Sequence, residues 1–120
     1  MSIRQPAVAG QFYPGSEPAL RKELQRLVPA GYVKQRAIGV ISPHAGYLYS
    51  GSAAGQLLAG IEIPRTVIIL GPNHRGSGAL AALSSDQGWQ TPLGVVPINK
   101  RLAGLIQQQI PAVQRWAIRA

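Results

Sequence analysis

The two histidines of the chain, His44 and His74, stand in matching positions. The first follows the apolar run Ala37–Ile41 in the string S-P-H, and the second follows Thr66–Leu70 in the string G-P-N-H. Imidazole is the commonest protein ligand for transition metals. If the two runs are neighbouring parallel strands, their axes lie ~4.8 Å apart, and two imidazoles beyond their ends can converge on one cation. The ligand distance would be roughly 2.0–2.1 Å for a zinc-like ion. For either histidine taken alone, a loop residue or a satisfied hydrogen-bonder is the plainer alternative. Pro43 and Pro72 fix φ and bias the preceding residue away from helix, so the chain leaves each run in a defined direction. Gly46 and Gly76 allow tight loops behind them.

The elements that must position these residues follow from local pattern. Residues 1–15 show no helical or alternating period and read as an irregular arm. Ser16 caps an amphipathic helix over 17–28, with Glu17 and Pro18 in its first turn and Leu20, Leu24, Leu27 and Val28 at helical spacing. The runs 37–41 and 66–70 read as buried strands. The small-residue segment Ser50–Ala59 between them has the length of a crossover helix, so the three together predict a βαβ unit whose strands are parallel. Sites in such folds form at the carboxyl ends of the strands. Further on, 79–84 reads as a weak strand or short helix, 86–94 as a turn-rich loop, and Val95-Val96 as a short strand. Asn99 caps a helix over 100–109, and Val113–Ala120 begins a further strand.

Asn73, Tyr47 and Trp89 are weaker candidates for lining a substrate pocket. Packing at a helix entry is the alternative for Tyr47 and its neighbour Tyr49, and a cover over the core is the alternative for Trp89. Gly46–Ser52 is glycine-rich before a helix but lacks the lysine of a phosphate-binding P-loop.

Composition bounds what remains. At 120 residues the chain suits one domain. Apolar residues make up 46% and charged residues 13%, which argues against disorder or a coiled coil. The absence of cysteine excludes disulfides, thiol nucleophiles and Cys-based zinc or iron–sulfur sites. No apolar run approaches the ~20 residues that span a bilayer, and the first residues lack a signal-peptide core, so a soluble cytoplasmic protein is expected, without membrane contact. Twelve Lys and Arg against four Asp and Glu give +8, which invites a nucleic-acid hypothesis. The cations are dispersed, however, and no basic stretch interleaves with aromatics as a stacking platform requires. A basic nucleic-acid binder therefore ranks last.

Four strings change the reading: R-Q-P-A-V-A-G-Q-F-Y-P (Arg4–Pro14), S-P-H-A-G-Y-L-Y-S-G (Ser42–Gly51), I-L-G-P-N-H (Ile69–His74) and W-Q-T-P-L-G (Trp89–Gly94). In order and spacing, over about residues 4–106, they resemble the Memo family, in bacteria and archaea also called the AmmeMemoRadiSam system protein B family. The resemblance implies an α/β fold similar to the class III extradiol dioxygenases, with three αβα layers around a mixed, partly parallel sheet. It implies a non-haem divalent metal, iron first, with copper or zinc as alternatives, held by His44 and His74. It also implies work alongside an AMMECR1-like protein and a radical-SAM protein.

Family members run to well over twice this length, and their third ligand comes from the C-terminal half. Residues 1–120 thus read as the N-terminal part of a single Memo-like domain, with its C-terminal half absent. Within the chain the remaining carboxylate candidates are Asp86 and Glu62. Glu62 precedes the second run, at the opposite end from the histidines. Two histidines alone fall short of the 2-His-1-carboxylate set of an iron oxygenase. The expectation is a metal-dependent, dioxygenase-like oxidoreductase or its truncated remnant, inactive alone and prone to self-association or to pairing with a complementing chain. The alternative is a non-catalytic metal-binding or protein-interaction module.

Overall fold

The computed structural model describes residues 2–116. Its chain divides into two compact units, Val8–Val67 and, from both ends of the sequence, Met1–Ala7 with Ile68–Ala120. Eight elements follow in order: β1 (Ile3–Arg4), α1 (Glu17–Leu27), α2 (Tyr47–Ala59), β2 (Ala82–Ser84), β3 (Gly88–Thr91), β4 (Gly94–Pro97), α3 (Lys100–Gln109) and β5 (Gln114–Trp116). Among the described residues, three helices and a mixed, partly parallel sheet place the protein in the α/β class, compatible with a three-layer αβα arrangement.

In the Val8–Val67 unit, α1 starts after Ser16 with Glu17 and Pro18 in its first turn, as the sequence predicts. The Ser16 hydroxyl makes no capping bond, so position rather than side chain marks the start. Exposed ion pairs Arg21–Glu17 (2.8 Å) and Arg26–Glu23 (2.6 Å) lie along the outer face, and Leu20 and Leu27 are buried. The opposite wall is α2, which begins three residues before the predicted segment. Its Gly51, Gly55 and Ala59 recur every fourth residue and are buried, so one small-residue stripe meets α1. A methyl group on Gly51 would lie 2.8 Å from a Leu27 methyl, and one on Gly55 would overlap the Leu27 carbonyl.

The predicted parallel strands at 37–41 and 66–70 do not form. The segments bend at Ile38 and Thr66 and enter no ladder among the described residues, and Ile38, Ile41 and Leu70 are 112%, 97% and 91% exposed. A continuous apolar run becomes a parallel strand only when neighbouring strands and helices cover it, and here nothing described covers these runs. What remains of the βαβ unit is one parallel bridge, Gln35 to Ile61, on either side of α2.

In the other unit, β3 is the middle of a three-stranded sheet, with β1 parallel on one side and β4 antiparallel on the other. Strand β3 lies inside the stretch 86–94 expected to be a loop, and β4 covers the short strand expected at Val95-Val96, so the two form a hairpin. Pro92 and Leu93 form its turn. The Thr91 hydroxyl donates to the Gly94 carbonyl at 2.9 Å and accepts from the Leu93 amide at 3.1 Å. Gly94 takes φ +123°, a conformation that favours glycine. Strand β2 pairs in parallel with β5; of the predicted strand Val113–Ala120, residues 117–120 lie outside the described residues. Helix α3 matches its predicted span, and the Asn99 side chain accepts from the Leu102 amide at 3.0 Å. Among the described residues the buried apolar side chains are Leu20, Leu27, Ala59 and Ala103.

Candidate functional site

His44 belongs to the Val8–Val67 unit, in the loop that enters α2. The loop is pinned from both sides: the Ser50 hydroxyl donates to the Ala45 carbonyl at 2.9 Å, and the Tyr47 amide donates to the Phe12 carbonyl at 2.7 Å. His44 is exposed and borders a half-open cleft of about 330 Å³, together with Phe12, Tyr13, Pro43, Tyr47 and Ser50. The Tyr13 and Tyr47 rings lie 5.8 Å apart at 41°, within the range of favourable tilted aromatic pairs. Burial, and then the neighbouring Tyr13, raise the Tyr47 pKa above that of an ordinary tyrosine, so its phenol stays neutral and keeps its proton to donate.

The arm expected to be irregular therefore has a definite shape. Gly10, at φ +80°, donates its amide to the Tyr13 carbonyl at 2.8 Å, and this tight turn sets Phe12 and Tyr13 against the His44 loop. Sequence reasoning missed both aromatics, although the string Q-F-Y-P carried the signal.

His74 belongs to the other unit. It sits in an exposed turn closed by its neighbour: the Asn73 side chain accepts from the amides of Arg75 (3.2 Å) and Gly76 (2.9 Å) and donates to the Ser77 carbonyl (2.8 Å). This is an Asx-type closure, with Gly76 at φ +67° completing the turn. Asn73 thus holds the backbone that carries His74.

Trp89 lies on β3. Its indole donates to the Ser84 hydroxyl at 3.1 Å, which in turn donates to the Asp86 carboxylate at 3.4 Å. The Arg4 guanidinium stacks 4.3 Å from the Trp89 ring centre, a cation–π contact that ties β1 to β3. Arg115 donates to the Ser84 carbonyl at 3.1 Å. Trp89 is half-buried, and its hydrogen-bonded partners Ser84 and Asp86 are buried.

The carboxylates weighed as further ligands are engaged elsewhere. Glu62 pairs with Arg36 at 3.4 Å, and Asp86 accepts from Ser84. Among the described residues no three His, Cys, Asp or Glu side chains gather into a metal-sized group. The described residues alone do not fit a three-ligand centre, and no catalytic step follows from them. No helix among the described residues is long and apolar enough to cross a membrane.

Comparison with known proteins places both histidine loops in a family context. The model of the family described as Memo-like protein matches residues 4–116. A MEMO1 family protein of Aquifex aeolicus is 46% identical over 105 residues, covering 85% of this chain and 39% of the relative. Its counterpart in Methanosarcina barkeri is 43% identical over 102 residues, covering 84% and 38%. One from Pyrobaculum arsenaticum is 38% identical over 126 residues, covering 95% and 45%. The chain spans about two fifths of the length of these curated relatives. With the match running through the arm, both histidine loops and the β3–β4 hairpin, the chain belongs to the Memo-like protein family.

Proposed function

We propose that this chain supplies the two imidazole ligands, His44 and His74, of a divalent-metal site of the Memo type, with iron as the first choice and copper or zinc as alternatives. The observation that carries this reading is the family match over residues 4–116, which includes both histidine loops. Two features support it: each histidine is exposed, and the backbone around each is fixed by its neighbours' hydrogen bonds. The remaining ligand comes from groups outside this set of residues, because Glu62 and Asp86 are committed to other partners. The reaction class that the resemblance suggests for the completed site is dioxygenase-like oxidation, in concert with AMMECR1-like and radical-SAM partners.

Anaerobic calorimetric titration of the chain with Fe(II), and with Zn(II) for comparison, tests the ligand assignment. About one ion per chain is expected for two nitrogen ligands and water. Binding should weaken at least tenfold in the His44→Ala/His74→Ala double variant, whose helical circular dichroism should be unchanged. Equal binding by the variant overturns the assignment.

A second reading, a protein-interaction module without catalysis, is favoured by a different observation, the exposure of the apolar runs at 37–41 and 66–70.

A further inference from the structure

The His44 loop enters α2 through Gly46, which has no side chain to cap the helix. The first amides of a helix need acceptors from outside its own ladder. The Tyr47 amide finds the Phe12 carbonyl at 2.7 Å, and the Tyr49 and Ser50 amides return to the Gly46 carbonyl at 2.9 and 3.1 Å. These bonds start the helix. None of the three reaches Ala45, the residue that follows His44.

Ser50 supplies that contact. A serine inside a helix ordinarily turns its hydroxyl back to the carbonyl four residues earlier. Here that carbonyl, of Gly46, already accepts two amides, and the hydroxyl reaches one residue further, to the Ala45 carbonyl at 2.9 Å. The bond therefore crosses the helix start and joins α2 to the backbone that carries His44. Ser50 is buried, where a hydrogen bond is stronger than it would be in water. The anchor behind it is fixed as well. Gly51 and Gly55, one and five residues on, sit so close to Leu27 of α1 that a methyl group on either would collide with it.

We propose that Ser50 is the positioning residue of His44. Its hydroxyl holds the Ala45 carbonyl, and with it the place from which the imidazole meets a metal ion, without being a ligand itself. The inference rests on the reading of His44 as a ligand and adds to it a residue that acts from outside the coordination sphere, where groups that orient a ligand tune its affinity. Alanine is a better helix former than serine, so Ser50→Ala removes the hydroxyl and leaves α2 intact.

The test is calorimetric titration of the full chain with Zn(II), beside Ser50→Ala, Ser50→Thr, His44→Ala and Ser52→Ala, the last an exposed serine of the same helix. Ser50→Ala should weaken binding by about tenfold with helical circular dichroism unchanged. Ser50→Thr, which keeps the hydroxyl, and Ser52→Ala should bind as the unaltered chain does. In the metal-free protein, the His44 ring should give one set of NMR signals in the unaltered chain and in Ser50→Thr, and broadened or doubled signals in Ser50→Ala. Full affinity in Ser50→Ala, while His44→Ala loses it, overturns this inference and leaves the ligand assignment standing. Equal loss in the alanine and threonine variants, or loss of helix in Ser50→Ala, also overturns it by giving the serine a packing role. Undiminished binding by His44→Ala removes the ligand assignment itself, and the inference with it.

Discussion

Gln35 and Ile61 face each other as a single parallel bridge. The Gln35 amide donates to the Gly60 carbonyl at 2.8 Å, and the Gln35 carbonyl accepts from the Glu62 amide at 2.9 Å. The two residues lie on either side of α2, so this pair is the whole of the strand–helix–strand connection that forms. Replacing Gln35 with proline removes the donor. The expected cost is about 1 kcal/mol for one lost hydrogen bond, with at least tenfold faster hydrogen exchange at the Glu62 amide. Unchanged exchange there would show that the bridge does not hold the segment.

Two glycines should respond to alanine in opposite directions. Gly55 sits against the Leu27 carbonyl, where a methyl group has no room, so Gly55→Ala forces α1 and α2 apart at a cost of about 1–3 kcal/mol. Gly104 lies within α3 with open space around it, and Gly104→Ala should stabilise by about 0.5–1 kcal/mol through helix propensity. Urea denaturation of the two variants checks the signs.

The turn carrying His74 depends on Asn73 accepting two amides. Asn73→Asp keeps both accepted bonds and loses only the donation to Ser77, whereas Asn73→Ala loses all three. Amide exchange at Arg75 and Gly76 should therefore accelerate strongly in the alanine variant and little in the aspartate variant. If the two variants exchange alike, the turn is held by its glycine rather than by the side chain.

Two titrations follow from local contacts. The hydrogen bond from Arg26, with a smaller coulombic contribution, holds the Glu23 carboxyl below its ordinary 4.5. A depressed carboxyl stabilises the fold above its unfolded value, and that stabilisation fades as pH falls through the folded value. Helicity should thus decline slightly below about pH 4.5, less steeply in Glu23→Gln, and the difference should vanish in high salt because the pair is exposed. Tyr47 has the opposite sign. Its raised pKa favours the folded state below the ordinary value near 10 and ceases to do so as pH rises through the folded value. Ultraviolet titration should lose its highest-pH tyrosinate component in Tyr47→Phe.

Where local rules decide, the sequence is legible. Helix α1 carries its first-turn acid and proline and its apolar stripe, helix α3 its Asn99 cap and apolar stripe, and both appear at the expected places with Asn99 capping as anticipated. The start of α2 at Tyr47 is less legible because Gly46 brings no side-chain cap, and the helix begins where Phe12 of the arm accepts the Tyr47 amide. Strands depend on partners that local pattern does not name. No continuous apolar run occurs in β1, β3 or β5, yet these short strands pair, while Ala37–Ile41 and Thr66–Leu70 do not. The site was legible to the extent that both histidines sit in proline-led loops. The aromatics beside His44 and the closure role of Asn73 depend on contacts between segments, which spacing alone cannot give.

The pairing of β1 with β3 joins Ile3 to Gly88 and Arg4 to Trp89, so residues Val8–Val67 form an insertion within a loop that this pairing closes. Closing so long a loop carries a large entropic cost and is slow. The inserted unit has its helix pair and its bridge complete by Ile61. During synthesis it can therefore assemble before β3 leaves the ribosome, and the N-terminal strand must wait, unpaired, for a partner that emerges long after it.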